Sequence, residues 1–224
     1  MDENCYEILS RLALPEINVI RLEEFEKADN ELLAAKQNRS RIEYYFTCTP
    51  SLPIYVFKDC GEADVVTYLD ADLYFFSDPH ELYAEFDGNS IGIIEHRFAP
   101  KLRHWHQYGI YNVGWVMFRR GENAMACLQW WRQRCIEWCY DQVEADRFAD
   151  QKYLNCWPKK FQQVAVLQHK GANLAPWNLE NYEIRWRDDE ISVDDQPLIF
   201  FHFHNLKHLQ GRIYDLGLAD YQHA

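Results

Sequence analysis

The sequence predicts an α/β fold in a single domain: a mixed, mostly parallel central sheet flanked by helices. Three observations predict it. Apolar runs of strand length alternate with helix-length segments along the chain. One of those runs, Val65 to Leu69, is β-branched, aromatic or aliphatic without a break, as in a strand covered on both faces of a parallel sheet. The 224 residues, 48% of them hydrophobic, suffice for one full core, and no linker, repeat or low-complexity tract divides them.

Taken in order, Met1 to Leu12 reads as the end of a helix, with Ile8, Leu9 and Leu12 on one side. Asn18 to Leu22 reads as a short strand and Glu23 to Lys36 as a polar helix. Arg39 to Lys58 is mostly apolar and helical, with a break imposed by Pro50 and Pro53. After Val65 to Leu69, the apolar Leu73 to Phe76 is stopped by Ser77-Asp78-Pro79, and a short helix runs from Pro79 to Phe86. Asp87-Gly88 turns the chain into a second strand, Ser90 to Glu95. A basic loop containing His96, Arg97, Lys101, Arg103, His104 and His106 leads to a third, Ile110 to Phe118.

Gly121 to about Ala145 is a long amphipathic helix whose Leu128, Trp131, Ile136, Trp138 and Tyr140 read as core rather than as a cofactor box. A short helix, Asp150 to Trp157, and a strand, Val164 to Leu167, come next. Ile184 to Trp186 and Ile191 to Val193 form a hairpin through Arg187-Asp-Asp-Glu190, and Pro197 to Phe203 is the last strong strand.

Charge narrows the function. With 23 Lys and Arg against 35 Asp and Glu, the net charge of −12 argues against a duplex nucleic-acid surface, which needs a basic stripe. A phosphorylated ligand stays compatible if a metal and a few local cations hold it. There is no apolar run of about 18 residues and no signal-peptide pattern, so no transmembrane segment is expected. The seven cysteines are scattered without a C-x-x-C pair, which predicts reduced thiols and a cytoplasmic location.

The chemistry gathers at strand ends. Val65 to Leu69 runs into Asp70-Ala71-Asp72, two carboxylates at the mouth of a sheet, where open α/β folds bind ligands. Carboxylates so close repel each other unless a hard divalent cation, Mn²⁺ or Mg²⁺, takes their oxygens and bridges to a diphosphate. The bland alternative is a solvated turn. His202 and His204 stand two apart in Phe200-Phe-His-Phe-His-Asn205, so on a strand both imidazoles face one way. Either one is also an ordinary core histidine. Joined to the acidic pair, His202 completes an octahedral set with positions open to ligand oxygens.

Three further sites keep two readings each. Gly114, in Tyr111-Asn-Val-Gly114, marks a close ligand approach or a bulge. Asp150 is a site carboxylate or an N-cap for a helix starting at Gln151. Trp177, in Gly171-Ala-Asn-Leu-Ala-Pro-Trp177, is a plate for a sugar ring or a packing residue.

Leu69-Asp-Ala-Asp72, Tyr111-Asn-Val-Gly114, Asp150-Gln-x-x-Leu-Asn155 and His202, in that order, resemble the retaining nucleotide-sugar glycosyltransferases of family 8, which share the GT-A fold. The resemblance covers about Asp64 to Lys207. It implies a Rossmann-like GT-A domain over residues 1–224. Asp70, Asp72 and His202 would hold Mn²⁺, and Ala71, Asn112, Gly114 and Trp177 would lie along the donor. Asp150 and Gln151 would stand beside the anomeric carbon, and Lys207, offset by about one residue, would contact the diphosphate.

The implied partners are a nucleotide-diphospho-sugar donor and a saccharide or glycolipid acceptor. Two features depart from the pattern. The family's first β-α-β unit is not found ahead of the helix at Met1 to Leu12, which implies either an amino-terminally truncated form or a nucleotide pocket built differently. Its arginine before the D-x-D strand is replaced by Thr47-Cys-Thr-Pro-Ser51. The competing readings are a metal-dependent phosphohydrolase, with His204 as an additional ligand, and a non-catalytic GT-A remnant.

Overall fold

The computed structural model describes residues 3–221. The amino-terminal layer is helical: α1 (Glu3–Leu12), α2 (Leu22–Lys27), α3 (Asn30–Ala35), α4 (Arg41–Cys48) and α5 (Ser51–Asp59). The expected strand at Asn18 to Leu22 is absent; that stretch is irregular and runs straight into α2. The expected helix from Glu23 to Lys36 is two helices, because Asp29 adopts an extended conformation and caps α3 by accepting from the Leu32 amide at 3.0 Å. Ser40 and Glu43 form a reciprocal capping box on α4, and Thr49-Pro50 separates α4 from α5. Pro53 sits in the first turn of α5, where its missing N–H costs nothing.

The remaining elements are β1 (Val65–Leu69), β2 (Leu73–Phe75), α6 (His80–Phe86), β3 (Ile91–Glu95), β4 (Tyr111–Arg119), α7 (Glu122–Glu137), α8 (Trp157–Lys160), β5 (Val164–Leu167), β6 (Ile184–Arg187), β7 (Glu190–Val193), β8 (Gln196–Pro197), β9 (Phe200–His202), β10 (Lys207–Gln210) and β11 (Ile213–Asp215). The helix α7 ends at Glu137, eight residues short of Ala145, and Trp138 leaves it in an extended conformation. The predicted strand Pro197 to Phe203 is split into β8, in a small sheet with β6 and β7, and β9, which pairs with β2.

The central sheet has the order β1-β4-β3-β5 among the described residues. Its pairing corrects the expectation of a mostly parallel sheet: β1/β4 and β4/β3 are antiparallel, and β3/β5 alone is parallel. The reason is instructive. Both faces of this sheet are covered, so Ile91–Ile94 of β3 and Val113–Phe118 of β4 are unbroken apolar or glycine runs, which is the pattern a parallel sheet also gives. On one face, Ile91, Ile93, Val116 and Phe118 pack against Leu128, Trp131 and Cys135 of α7. On the other, Ile94, Trp115 and Met117 meet Leu82 and Phe86 of α6 and Phe200 of β9. The strand β1 is an edge strand of the described sheet and only half-buried.

Candidate metal centre

The strand β1 stops because two carboxylates follow it. Asp70 donates its backbone N–H to Gly114 O at 3.2 Å, the last tie to β4. The chain then turns through Ala71 into β2, which pairs antiparallel with β9 so that Leu73 stands opposite His202. Phe203 N–H donates to Asp72 O at 2.9 Å, locking that register. Residues distant in sequence are thereby fixed side by side. His202 Nε2 lies 3.1 Å from Asp72 Oδ1 and 3.9 Å from Asp70 Oδ2. One ligand atom from each of the three residues lies within 4.8 Å of the others.

The carboxyls behave differently. Asp70 is raised above the usual carboxylate range, chiefly by burial, although His202 and the Tyr68 hydroxyl, donating at 3.0 Å, pull the other way. Asp72 feels burial too, but hydrogen bonding to His202 and its charge bring it below the usual value. The third site carboxyl, Asp150, is pushed up to about 7 by burial, opposed by the Thr49 hydroxyl and helped by the charge of Asp70.

These groups floor a cavity of about 810 Å³ that also takes in Trp105, Tyr108, Phe148 and Gln151. Ala149 precedes Asp150 in the left-handed region at φ 46°, a conformation that L side chains adopt at a cost of order 1 kcal/mol, and it delivers Asp150 to the cavity wall. The short helical turn begins at Lys152 with Gln151 at its N-cap position and no side-chain cap, so Asp150 is not the N-cap the sequence allowed. Its backbone carbonyl accepts from Trp131 Nε1 at 2.8 Å, tying the site to the core.

Asp70, Ala71, Asp72, Asn112, Asp150, Gln151, Trp177 and His202 all line the cavity. Trp177 is buried, edge-on to His202 at 5.1 Å between ring centroids, and so walls that imidazole. Gly114 faces protein instead: a Cβ there would meet Asn112 Oδ1 at 2.6 Å and His202 Cε1 at 2.8 Å. Lys207 is exposed on β10 and is not among the lining residues. His204 lines the cavity with its Nδ1 against the Tyr221 hydroxyl, outside the Asp70–Asp72–His202 group. His96 was not singled out from the sequence beyond its place in the basic loop. It is buried, stacked on Phe98 at 4.5 Å, and burial pushes it down to about 3, so it is neutral.

No protein-family model matches the chain. It is 35% identical over 206 residues to the uncharacterized protein YfnD of Bacillus subtilis (strain 168), covering 91% of this chain and 66% of that one. It is 31% identical over 212 residues to the uncharacterized protein YfnF of the same strain, covering 91% of this chain and 69% of that one. The chain thus spans about two thirds of the length of these relatives. Among solved structures, mouse xyloside xylosyltransferase 1 in its apo form is similar, with a TM-score of 0.51 and 14% identity over 91% of this chain and 82% of that one. At that identity the likeness shows the fold, which is that of a GT-A glycosyltransferase.

Proposed function

From the premise that the chain belongs to the family of the Bacillus subtilis protein YfnF, we propose that it is a metal-dependent hexosyltransferase that moves a sugar, with retention, from a nucleotide-diphospho-sugar to a saccharide acceptor. The observation that carries this reading is the convergence of Asp70, Asp72 and His202 on the floor of a cavity large enough for such a donor. Two hard carboxylates and one imidazole are a donor set suited to Mn²⁺ or Mg²⁺, with coordination positions left for phosphate oxygens. When bound, the cation supplies Lewis-acid stabilisation of the departing diphosphate.

The protein's own groups do the rest. Asp72 is ionised across the neutral range and binds as an anion. Asp150 and Gln151 share the cavity with the ligand triad, a placement that suits them to stand beside the anomeric carbon of a donor. The carboxyl of Asp150 stabilises positive charge developing there when ionised. Trp105, Tyr108 and Phe148 offer apolar faces on which a saccharide acceptor stacks.

The test is a screen of sugar nucleotides with Mn²⁺, reading release of nucleoside diphosphate with and without acceptors. At least one donor should turn over, and Asp72→Asn should lower turnover by more than about a hundredfold with the fold intact. Undiminished turnover in Asp72→Asn, or none with any donor, removes the proposal. Release that no acceptor accelerates points to a phosphohydrolase.

A further inference from the structure

Behind the metal ligands lies a fully paired polar network that runs from one backbone group to another. At its far end, Ile110 O faces His96 Nδ1 at 3.1 Å; a carbonyl only accepts, so Nδ1 carries the proton. The other nitrogen of this neutral ring, Nε2, is then an acceptor, and Asn112 Nδ2 donates to it at 3.3 Å. At the near end, the Gly114 N–H donates to Asn112 Oδ1 at 3.1 Å, a backbone donor that fixes which way the amide points. The same Oδ1 lies 3.2 Å from His202 Nδ1, which must therefore be a donor as well. The second amide proton goes to Gln151 Oε1 at 3.3 Å. All four hydrogen-bonding positions of Asn112 are filled by protein groups, and none is left for a donor sugar.

We propose that Asn112 and His96 are positioning residues that hold His202 with its proton on Nδ1, so that the Nε2 lone pair is presented between Asp70 and Asp72; this rests on the metal reading above. The ring has one orientation because both ends of the chain of bonds are backbone atoms of β4 and the loop before it, which cannot flip. With Nδ1 engaged by Asn112, Nε2, 3.1 Å from Asp72 Oδ1, is the ring nitrogen left for a cation. The absence of a side chain at Gly114 belongs to the same device, since a methyl group there would occupy the space of the His202–Asn112 contact.

The test uses the full chain and two readouts. Long-range ¹H–¹⁵N spectra of the metal-free protein at about pH 8, with the His202 signals identified by their loss in His202→Gln, should show Nδ1 protonated. Calorimetric titration with Mn²⁺ should then give a dissociation constant raised about tenfold in His96→Phe and up to about a hundredfold in Asn112→Leu. His96→Gln, whose Oε1 accepts from Asn112 in place of Nε2, should recover to within about threefold of wild type. That order separates positioning from packing: Phe keeps the ring stacked on Phe98 and Gln does not, so a merely structural His96 predicts the reverse ranking.

An unprotonated Nδ1 in the wild type, or equal Mn²⁺ affinity in His96→Phe and wild type, overturns the proposal. A wild type that binds no Mn²⁺ at all sinks the transferase reading and this proposal together. Mn²⁺ binding that ignores His96 sinks the relay alone.

Discussion

Asp150 is 5% exposed, and its carboxyl sits at about 7 because burial, with the charge of Asp70 adding to it, outweighs the Thr49 hydroxyl. The sign of its effect on stability follows. The unfolded chain releases this proton near pH 4, whereas the folded chain keeps it to about pH 7, so the native state binds more protons in that window and stability falls as pH rises through it. In metal-free protein, Asp150→Asn should therefore gain about 2–4 kcal/mol relative to wild type on going from about pH 4 to pH 8. Urea unfolding of both proteins at the two pH values measures it; a parallel pH dependence would show that Asp150 is not held protonated.

A second residue-scale prediction concerns Gly114. Alanine there places a methyl group 2.6 Å from Asn112 Oδ1, so Gly114→Ala should lose about 1–3 kcal/mol and most of its Mn²⁺ affinity, read by thermal unfolding and titration. Asp70, Asp72 and His202 were legible because charge and imidazole interrupt apolar strands, an interruption that needs a compensating partner. His96 and the hydrogen-bond partners of Asn112 were not. Their partners are a carbonyl and an amide of β4 and its approach, and a sequence carries no mark of which backbone groups a side chain will meet.

At the scale of elements, β2 and β9 do the bringing together; from the sequence the first is only an apolar segment and the second part of a longer strand, and nothing marks their pairing. The mostly parallel sheet was misread for a physical reason: period-two alternation disappears whenever helices cover both faces, whatever the strand direction. The extent of α7 was overread because Trp138, Cys139 and Tyr140 continue its apolar pattern beyond the last helical residue. The helical layer in front of the sheet is tied on by Arg132 of α7. Its Nε donates to Asp29 Oδ2 at 2.8 Å, and a second, closer bond from the same guanidinium reaches Oδ1.

Burial alone would raise Asp29, but Arg132, the Leu32 amide and Ser51 bring its carboxyl below the usual range. Because its native-state value is depressed, the stability it supplies is present above the ordinary carboxylate range and is lost as pH falls through it. Asp29→Asn should cost about 1–3 kcal/mol at neutral pH and correspondingly less in acid, measured by denaturant unfolding. An equal cost at both pH values would place the effect in packing rather than in charge.

On the proposed function, the charge of the whole molecule decides how a donor can enter. The net charge is −12, and the residues lining the cavity include Asp70, Asp72, Asp141 and Asp150 but no lysine or arginine. A nucleoside diphosphate approaching this wall meets repulsion that no lining cation offsets, and a low-dielectric cavity strengthens the repulsion relative to water. Binding of the diphosphate must then be conditional on the cation, with the cation first. Titration of uridine or guanosine diphosphate should give no measurable heat in the presence of chelator and a clear isotherm with Mn²⁺ at saturation, and thermal unfolding should rise with the pair together more than with either alone.

Raising salt should restore little binding to the chelated protein, since the repelling carboxylates stand in the cavity wall, where mobile ions screen them much less than at an open surface. Comparable affinity with chelator present would mean that cations outside the lining, such as Lys207 on β10, close over the phosphates, and it would return the diphosphate contact to the place the sequence first suggested.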